Sequence, residues 1–126
     1  MENKKRVLYV DDDEQIILVQ QQILERFGYD VSPYLNPVDA LEDFRLASER
    51  YDIAIIDLVM PSLNGDLLAR EIKKVNPVLP IILCTGYGAE IVEKQVSELG
   101  IEGFLVKPIA YKVMLEMVSR LLKGNS

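Results

Sequence analysis

The stretch IAIIDLVMPSLNG, residues 53–65, places four apolar residues directly before a carboxylate at Asp57. Consecutive apolar side chains are typical of a strand that is buried on both faces, as in a parallel sheet covered by helices. An ionised carboxylate at the end of such a strand is costly unless water, a proton or a cation balances its charge. The stretch therefore predicts a buried parallel strand that ends at a functional acidic group.

The composition indicates one folded domain with an acidic surface. The chain has 126 residues, of which 49% are hydrophobic and 27% charged, with a net charge of −6 and no histidine. We expect a single domain over residues 1–126 with a core from about residue 6 to residue 122. The negative charge argues against direct nucleic-acid binding, which needs a basic surface. The absence of histidine removes histidine-based catalysis and metal ligation.

No part of the sequence resembles a targeting or membrane-spanning segment. The apolar run near the N-terminus is only four residues long, too short for a signal peptide or a membrane span. The chain has one cysteine, Cys84, which lies in an apolar run and is predicted to be a buried strand thiol. We therefore expect a cytoplasmic protein without membrane contact.

Five short apolar runs alternate with stretches that have helical spacing. The runs read RVLYV, YDVSPYL, DIAIID, LPIILCT and GFLVK. Regular alternation of strands and helices predicts a parallel sheet with helices on both faces. Pro33 lies inside the second run, and proline is confined to edge strands. We therefore predict an α/β, flavodoxin-like (βα)5 three-layer sandwich with strand order 2-1-3-4-5.

Polar residues follow the predicted strands at their carboxyl ends, where ligands bind in such sheets. They are Asp11, Asp12 and Asp13 after the first strand, Asp57 on the third, Thr85 and Gly86 at the fourth, and Lys107 at the fifth. Clustered carboxylates repel one another, so a cation is expected to compensate them. Oxygen ligands without histidine or cysteine select a hard cation, Mg²⁺ or Mn²⁺.

The lysine, hydroxyl and glycine at this edge suit a phosphoryl ligand. Phosphoryl transfer depends mainly on positioning and charge neutralisation, which these groups can supply. On this reasoning Asp57 is either a metal ligand or a nucleophile that forms an acyl phosphate. Asp13 is either a member of the acidic pair or the N-cap of the first helix.

Four separated motifs resemble those of the receiver domains of two-component response regulators, over nearly the whole chain. VLYVDDDE resembles the acidic pair of the first strand, and IIDLVMPSLNG resembles the phosphoacceptor signature D-x-x-M-P-x-x-x-G. ILCTG and GFLVKP resemble the hydroxyl of the fourth strand and the aromatic and Lys-Pro of the fifth. The sequences of the last two motifs are most similar to those of receivers that are fused to hybrid sensor kinases.

The resemblance implies a role for each acidic residue. Asp57 is expected to be the phosphoacceptor and also a metal ligand. Asp12 is expected to bind Mg²⁺ directly, and Asp11 mainly through a water molecule. The main-chain carbonyl of Val59 completes the expected protein ligands. The acidic pair is taken as Asp11 and Asp12 because the family's pair follows directly on the apolar strand.

The resemblance also implies how the phosphoryl group is held and sensed. Lys107, in a Lys-Pro bond that is typically cis, pairs with Asp57 and then with the phosphoryl group. Thr85 and Gly86 bind phosphoryl oxygen, and Phe104 is the switch aromatic. Val59 and Tyr87 flank the path of the attacking water and are expected to tune dephosphorylation.

The expected partner is a histidine kinase or a histidine phosphotransfer protein. Phosphorylation is expected to change the face built by the fourth helix, the fifth strand and the fifth helix. The chain is expected to be a monomer or a weak, phosphorylation-dependent dimer, and to be a phosphoacceptor that assists its own phosphorylation and dephosphorylation rather than an enzyme. The sequence does not identify the downstream protein target.

Two other functions share parts of this pattern. A haloacid-dehalogenase-like phosphohydrolase also uses a strand-end aspartate, Mg²⁺, a hydroxyl and a lysine, although its nucleophile lies on the first strand in a D-x-D arrangement. A pseudo-receiver would use the same fold only for protein interaction.

Overall fold

The computed structural model describes residues 4–86, 94 and 96–124. In chain order the described elements are β1 (Arg6–Val10), α1 (Glu14–Arg26), β2 (Asp30–Tyr34), α2 (Pro37–Leu46), a short 3-10 helix (Ser48–Arg50), β3 (Ile53–Asp57), α3 (Gly65–Val75), β4 (Ile81–Thr85), β5 (Gly103–Val106) and α4 (Tyr111–Leu122). Residues 94 and 96–99, between β4 and β5, are also helical. The sequence pattern also predicts a helix that ends before Gly100, and the rest of that helix lies outside the described residues.

The strands form one parallel sheet in the order β2-β1-β3-β4-β5, which confirms the predicted topology. Pro33 lies on the edge strand β2, opposite Tyr9 of β1. A proline cannot donate a ladder hydrogen bond, so an edge is the position that tolerates it. Reversal of the strand order between β1 and β3 opens a crevice at the carboxyl ends of these two strands.

Two apolar cores hold the helices against the sheet. The first core packs α2 and α3 on one face, and its larger members include Leu8, Phe44 and Leu68. The second core packs α1 and α4 on the other face and includes Tyr9 and Cys84, which is buried as predicted. Because side chains alternate between the two faces, every residue of β3 and of β4 is buried.

Local capping signals agree with the helix boundaries. Asn36 caps α2, since its Oδ1 accepts the N–H of Val38 at 2.8 Å and that of Asp39 at 3.3 Å. Gly100 has a φ of +69°, a left-handed conformation that is typical of a glycine just after the end of a helix. The stretch after Leu46 does not continue α2 and forms the 3-10 helix instead. None of the described helices is both long and apolar enough to span a membrane.

The ladder continues beyond the last residues of β1 and β5, and this positions the polar residues that follow. The N–H of Asp11 donates to the carbonyl of Tyr34 at 3.1 Å, and the N–H of Lys107 donates to the carbonyl of Thr85 at 2.7 Å. The Lys107–Pro108 peptide bond is cis, as the resemblance implied. Asp11 and Lys107 therefore start from defined backbone positions on either side of Asp57.

Candidate functional site

Three carboxylates converge at the crevice. Asp11, Asp12 and Asp57 each offer a carboxylate oxygen, and these oxygens lie within 4.8 Å of one another. Asp11 and Asp57 are only 1% and 6% exposed, whereas Asp12 is exposed. The cluster therefore combines two buried charges with one that meets solvent, and it is able to hold a metal ion.

Asp13, the fourth acidic candidate, has a structural role. Its Oδ1 caps α1 by accepting the N–H of Gln15 at 3.0 Å and that of Ile16 at 3.3 Å. Its own N–H donates to Oδ1 of Asp11 at 2.9 Å. Of the two registers for the acidic pair, this geometry favours Asp11 with Asp12, since Asp13 is committed to the helix end.

Lys107 bridges the two buried carboxylates. Its Nζ lies 3.0 Å from Oδ2 of Asp11 and 3.2 Å from Oδ1 of Asp57. Both oxygens of Asp11 thus have partners within the chain, Lys107 on one side and the Asp13 N–H on the other. One ammonium group shared by two carboxylates leaves the cluster with an excess of negative charge.

This excess is visible in the pKa of Asp57. Burial first, and then the charge of Asp11, raise the pKa of this carboxyl from its ordinary value of 3.8 to about 6, although Lys107 acts to lower it. Burial by itself would lower the pKa of Lys107, but the hydrogen bond and charge of Asp11, with the charge of Asp57, raise it above its ordinary value. Lys107 therefore stays protonated at neutral pH, and Asp57 loses its proton less readily than an ordinary aspartate.

Three further predicted site residues end or follow strands at the carboxyl edge of the sheet. Thr85 is buried at the end of β4, and Gly86 follows it at an exposed position. Val59 is exposed two residues after Asp57. Tyr87 lies outside the described residues. The structure thus places Thr85, Gly86 and Val59 at the same edge of the sheet as the carboxylates.

Most of the sequence matches a known family. The profile of the response regulator receiver domain matches residues 7–119. The chain belongs to the response regulator receiver domain family. It is accordingly a phosphoacceptor signalling module rather than an enzyme, and it carries the acidic triad typical of phosphoaccepting receivers. Membership of this family decides against the haloacid-dehalogenase-like alternative.

Receivers of several contexts are similar to this one. The chemotaxis protein CheY of Thermotoga maritima is 30% identical over 120 residues, which cover 94% of this chain and 98% of CheY. The alkaline phosphatase synthesis transcriptional regulatory protein PhoP of Bacillus subtilis is 29% identical over 121 residues, which cover 96% of this chain. The chain spans only 50% of the length of PhoP.

A solved structure supports the same membership. The crystal structure of a CheY-like receiver domain protein from Methanospirillum hungatei superposes with a TM-score of 0.88 at 28% identity. The match covers 96% of this chain and 95% of that one. The flavodoxin-like fold of receivers is therefore the fold of this chain.

Sequence reasoning missed Gly65 as a residue that shapes the receiver site. A Cβ atom at this position would overlap the carbonyl group of Asp57, and the N–H of Gly65 donates to the carbonyl of Leu58 at 2.8 Å. Only glycine allows α3 to begin this close to the end of β3. The glycine of the phosphoacceptor signature was the available signal, but its spacing alone does not reveal what it touches.

The raised pKa of Asp57 gives a testable dependence of stability on pH. An acid whose folded pKa exceeds its unfolded pKa binds more protons when folded, so the metal-free fold loses stability as pH rises through the interval from about 4 to about 6. The cost at neutral pH is about 3 kcal/mol by the conversion of pKa shifts into free energy. Asp57→Asn removes this cost, so in EDTA the variant should be more stable than the parent at neutral pH and nearly equal to it near pH 4.

Urea unfolding of both proteins in EDTA, across this pH range, measures the difference. Asp13→Asn is the matched control because asparagine also caps helices, and its pH profile should run parallel to that of the parent. Equal stability of Asp57→Asn and parent at neutral pH would contradict the electrostatic account.

Proposed function

We propose that this receiver accepts a phosphoryl group on Asp57 from a histidine kinase or a histidine phosphotransfer protein, with Mg²⁺ as its cofactor. The observation that carries the proposal is the contact of Lys107 with both Asp57 and Asp11 beside the exposed Asp12. In this arrangement the carboxylate of Asp57 is nearly buried and is already paired with the ammonium group of Lys107. It lies at an open edge where a phosphodonor can approach.

The transfer step is a displacement at phosphorus. An oxygen of Asp57 forms the new P–O bond while the P–N bond to the donor histidine breaks, and the histidine nitrogen keeps the electron pair. Lys107 stabilises the charge on the transferred oxygens, and Thr85 with the Gly86 backbone is proposed to bind them. Because no proton has to leave Asp57, the absence of histidine from the chain does not hinder the reaction.

The donor set of the acidic cluster fits Mg²⁺. All its ligand atoms are oxygens, as hard divalent cations prefer. Both oxygens of Asp11 are already engaged by Lys107 and Asp13, which supports a contact through water for Asp11 and a direct one for the exposed Asp12. Asp57 and the main-chain carbonyl of Val59 would complete the protein ligands. When bound, Mg²⁺ neutralises charge that develops on the phosphoryl oxygens.

Asp57 is expected to be the only residue labelled by a small phosphodonor. Acetyl phosphate with Mg²⁺ should add one phosphoryl group to the parent chain, and Asp57→Asn should abolish the addition because an amide is a poor nucleophile. Intact mass spectrometry measures the product. Asp52→Asn, at the opposite end of β3, is the matched control and should be labelled normally. Persistent labelling of Asp57→Asn would exclude the assignment, and no labelling of the parent would favour the pseudo-receiver.

Mg²⁺ is expected to stabilise the fold at neutral pH. The cation relieves the repulsion among Asp11, Asp12 and Asp57, and a ligand at about 100 times its dissociation constant adds roughly 2.7 kcal/mol. Thermal melts in millimolar Mg²⁺ and in EDTA measure the gain. Asp12→Asn should lose most of it, and Asp13→Asn should keep it. The proposal fails on this point if the parent melts at the same temperature in both conditions.

The phosphodonor is proposed to dock along α1, next to Lys107. Leu18 and Val19 of α1 are more than half exposed, although they are large apolar residues. A groove of about 320 Å³ runs between α1 and the segment after Lys107, and a second of about 410 Å³ continues past Val19 towards Phe27 and Tyr111. The first groove is lined in part by Lys107, whose Nζ lies 3.2 Å from Oδ1 of Asp57, so a partner that binds there comes close to the phosphoacceptor.

The output face is proposed to change when Asp57 is phosphorylated. Thr85 would move towards the phosphoryl group, and the chain after β4 would follow. Phe104 is half-buried against the first core, and we expect its ring to turn further inward. Val106 of β5 is exposed next to it and belongs to the same face.

Nuclear magnetic resonance with beryllofluoride and Mg²⁺ tests the coupling. Shifts should extend from Asp57 to Phe104 and to Val106 in the parent and in Thr85→Ser, which keeps the hydroxyl. Thr85→Ala should confine the shifts to the phosphorylation site. Shifts confined to the site in the parent as well would indicate a rigid Phe104.

A comparatively long-lived acyl phosphate is the last expectation for this site. Val59 is exposed at the site and offers no hydrogen bond, and Tyr87 is proposed to cover the other side. Hydrolysis needs an oriented water, so apolar cover should slow it. The double variant Val59→Asn with Tyr87→Glu should lose phosphate about tenfold faster, the effect of roughly 1.4 kcal/mol on the barrier.

First-order loss of the label measures this lifetime. Val78→Asn, at an exposed valine near the other end of the sheet, is the matched control and should decay like the parent. A double variant that decays no faster than the parent would refute the shielding.

The setting of the domain is part of the proposal. We place it in the cytoplasm, as a single-domain regulator or as the receiver of a longer protein such as a hybrid sensor kinase. Similarity to CheY supports the first setting and similarity to PhoP supports the second.

A further inference from the structure

Tyr9 brings a hydroxyl group into an apolar core. The side chain is 1% exposed and packs in the second core, between the sheet and the helices α1 and α4. Its hydroxyl oxygen has no hydrogen-bond partner among the described residues. A phenylalanine would fill the same space without burying an unsatisfied polar group, so the hydroxyl calls for a reason other than the stability of this state.

The sheet places Tyr9 one row below the buried carboxylates of the site. Successive side chains of a strand alternate between its faces, so Tyr9 and Asp11, two residues apart where the ladder of β1 continues, lie on the same face. On the neighbouring strand Tyr9 is opposite Ile55, and Asp57 follows Ile55 by two residues. Two residues of a strand span about 7 Å, a distance that a tyrosine side chain can bridge.

The charges of both carboxylates act on the Tyr9 hydroxyl. Burial first, and then the interactions with Cys84, Asp11 and Asp57, raise the pKa of Tyr9 far above its ordinary value. Cys84 is opposite Asp57 on β4, so these three groups belong to the same row of the sheet. Tyr9 is therefore a neutral hydrogen-bond donor close to two acceptors.

In the free domain both carboxylates already have donors. Lys107 donates to Oδ2 of Asp11 at 3.0 Å and lies 3.2 Å from Oδ1 of Asp57, and Oδ1 of Asp11 accepts the N–H of Asp13. A phosphoryl group on Asp57 is proposed to attract Lys107 away from this arrangement. Asp11 would then keep its charge in a place that solvent hardly reaches, and Oδ2 would lose its donor.

We propose that Tyr9 is a positioning residue of the phosphorylated state, whose hydroxyl donates to Oδ2 of Asp11 when Lys107 turns to the phosphoryl group. The inference rests on the proposed function, because it follows from the transfer of Lys107 to the phosphoryl oxygens. Oε1 of Gln20 also lacks a partner within the described residues, but a carbonyl oxygen is an acceptor and cannot replace an ammonium donor.

The hydroxyl of Tyr9 thereby shifts the balance between the two states. In the free state its burial is unfavourable, since no hydrogen bond offsets the loss of water. In the phosphorylated state it makes a hydrogen bond to a charged acceptor, which is stronger than one between neutral groups. Both effects favour the phosphorylated arrangement, and a phenylalanine at position 9 would remove both.

Tyr9→Phe tests the inference through two effects of opposite sign. In EDTA its thermal midpoint should be about 4 °C above that of the parent, because an unsatisfied buried hydroxyl is removed at nearly constant shape. In Mg²⁺ it should bind beryllofluoride, which mimics the phosphoryl group, about tenfold more weakly, because the hydrogen bond to a charged group is lost. Its affinity for Mg²⁺ alone, measured by calorimetry, should be unchanged, because Lys107 still pairs with Asp11.

Tyr34→Phe is the matched control. The hydroxyl of Tyr34 donates to Oδ2 of Asp43 on α2 at 2.6 Å, so this hydroxyl already has its partner in the free domain. The variant should have a lower thermal midpoint than the parent in EDTA, and it should bind beryllofluoride like the parent. A purely structural effect of losing a tyrosine hydroxyl is thus separated from the effect proposed for Tyr9.

Beryllofluoride binding to Tyr9→Phe that is as tight as binding to the parent overturns the inference. A loss that already appears with Mg²⁺ alone also overturns it, as does a lower thermal midpoint of Tyr9→Phe in EDTA, since the hydroxyl would then have a partner in the free state. A parent that binds no beryllofluoride in Mg²⁺ contradicts the proposed function instead, and this inference falls with it.

Discussion

The structure depends on the burial of two carboxylates, Asp11 and Asp57, around one ammonium group. Placing two like charges in a poorly solvated crevice is unfavourable, and Lys107 compensates only part of the cost. The remaining excess of negative charge makes the acidic cluster able to hold a cation. Function at this edge of the sheet therefore follows from an electrostatic imbalance that the fold maintains.

The rest of the domain maintains that imbalance by rigidity. Asp57 ends a strand whose five residues are all buried, and its neighbour β4 is buried along its whole length. Two apolar cores hold this central pair of strands from both faces, so the carboxylate cannot retreat into solvent. The backbone of Gly65 packs so close to the carbonyl group of Asp57 that no side chain fits between them, which further restricts the backbone of Asp57.

Several groups near the site lower the free energy of unfolding of the domain. The raised pKa of Asp57 reports one such effect, and the buried polar atoms of Tyr9 and Gln20 that have no hydrogen-bond partner among the described residues are two others. A domain selected for stability alone would carry neutral or apolar groups at these positions. Tyr9 packs in the core between the sheet and the helices α1 and α4, and Gln20 of α1 lines the groove where a phosphodonor is proposed to bind.

The sequence by itself determined the architecture and the list of chemical groups. Runs of buried residues, the edge proline Pro33 and the N-cap Asn36 act over a few neighbours, so their consequences can be deduced locally. The tertiary structure decided how the groups are used. Lys107 contacts Asp11 across 96 positions of the chain, and only the register of the sheet brings them together. Whether Asp13 would cap a helix or bind a metal, what Gly65 touches, and which polar atoms lack partners depend on packing at distances that no local pattern encodes.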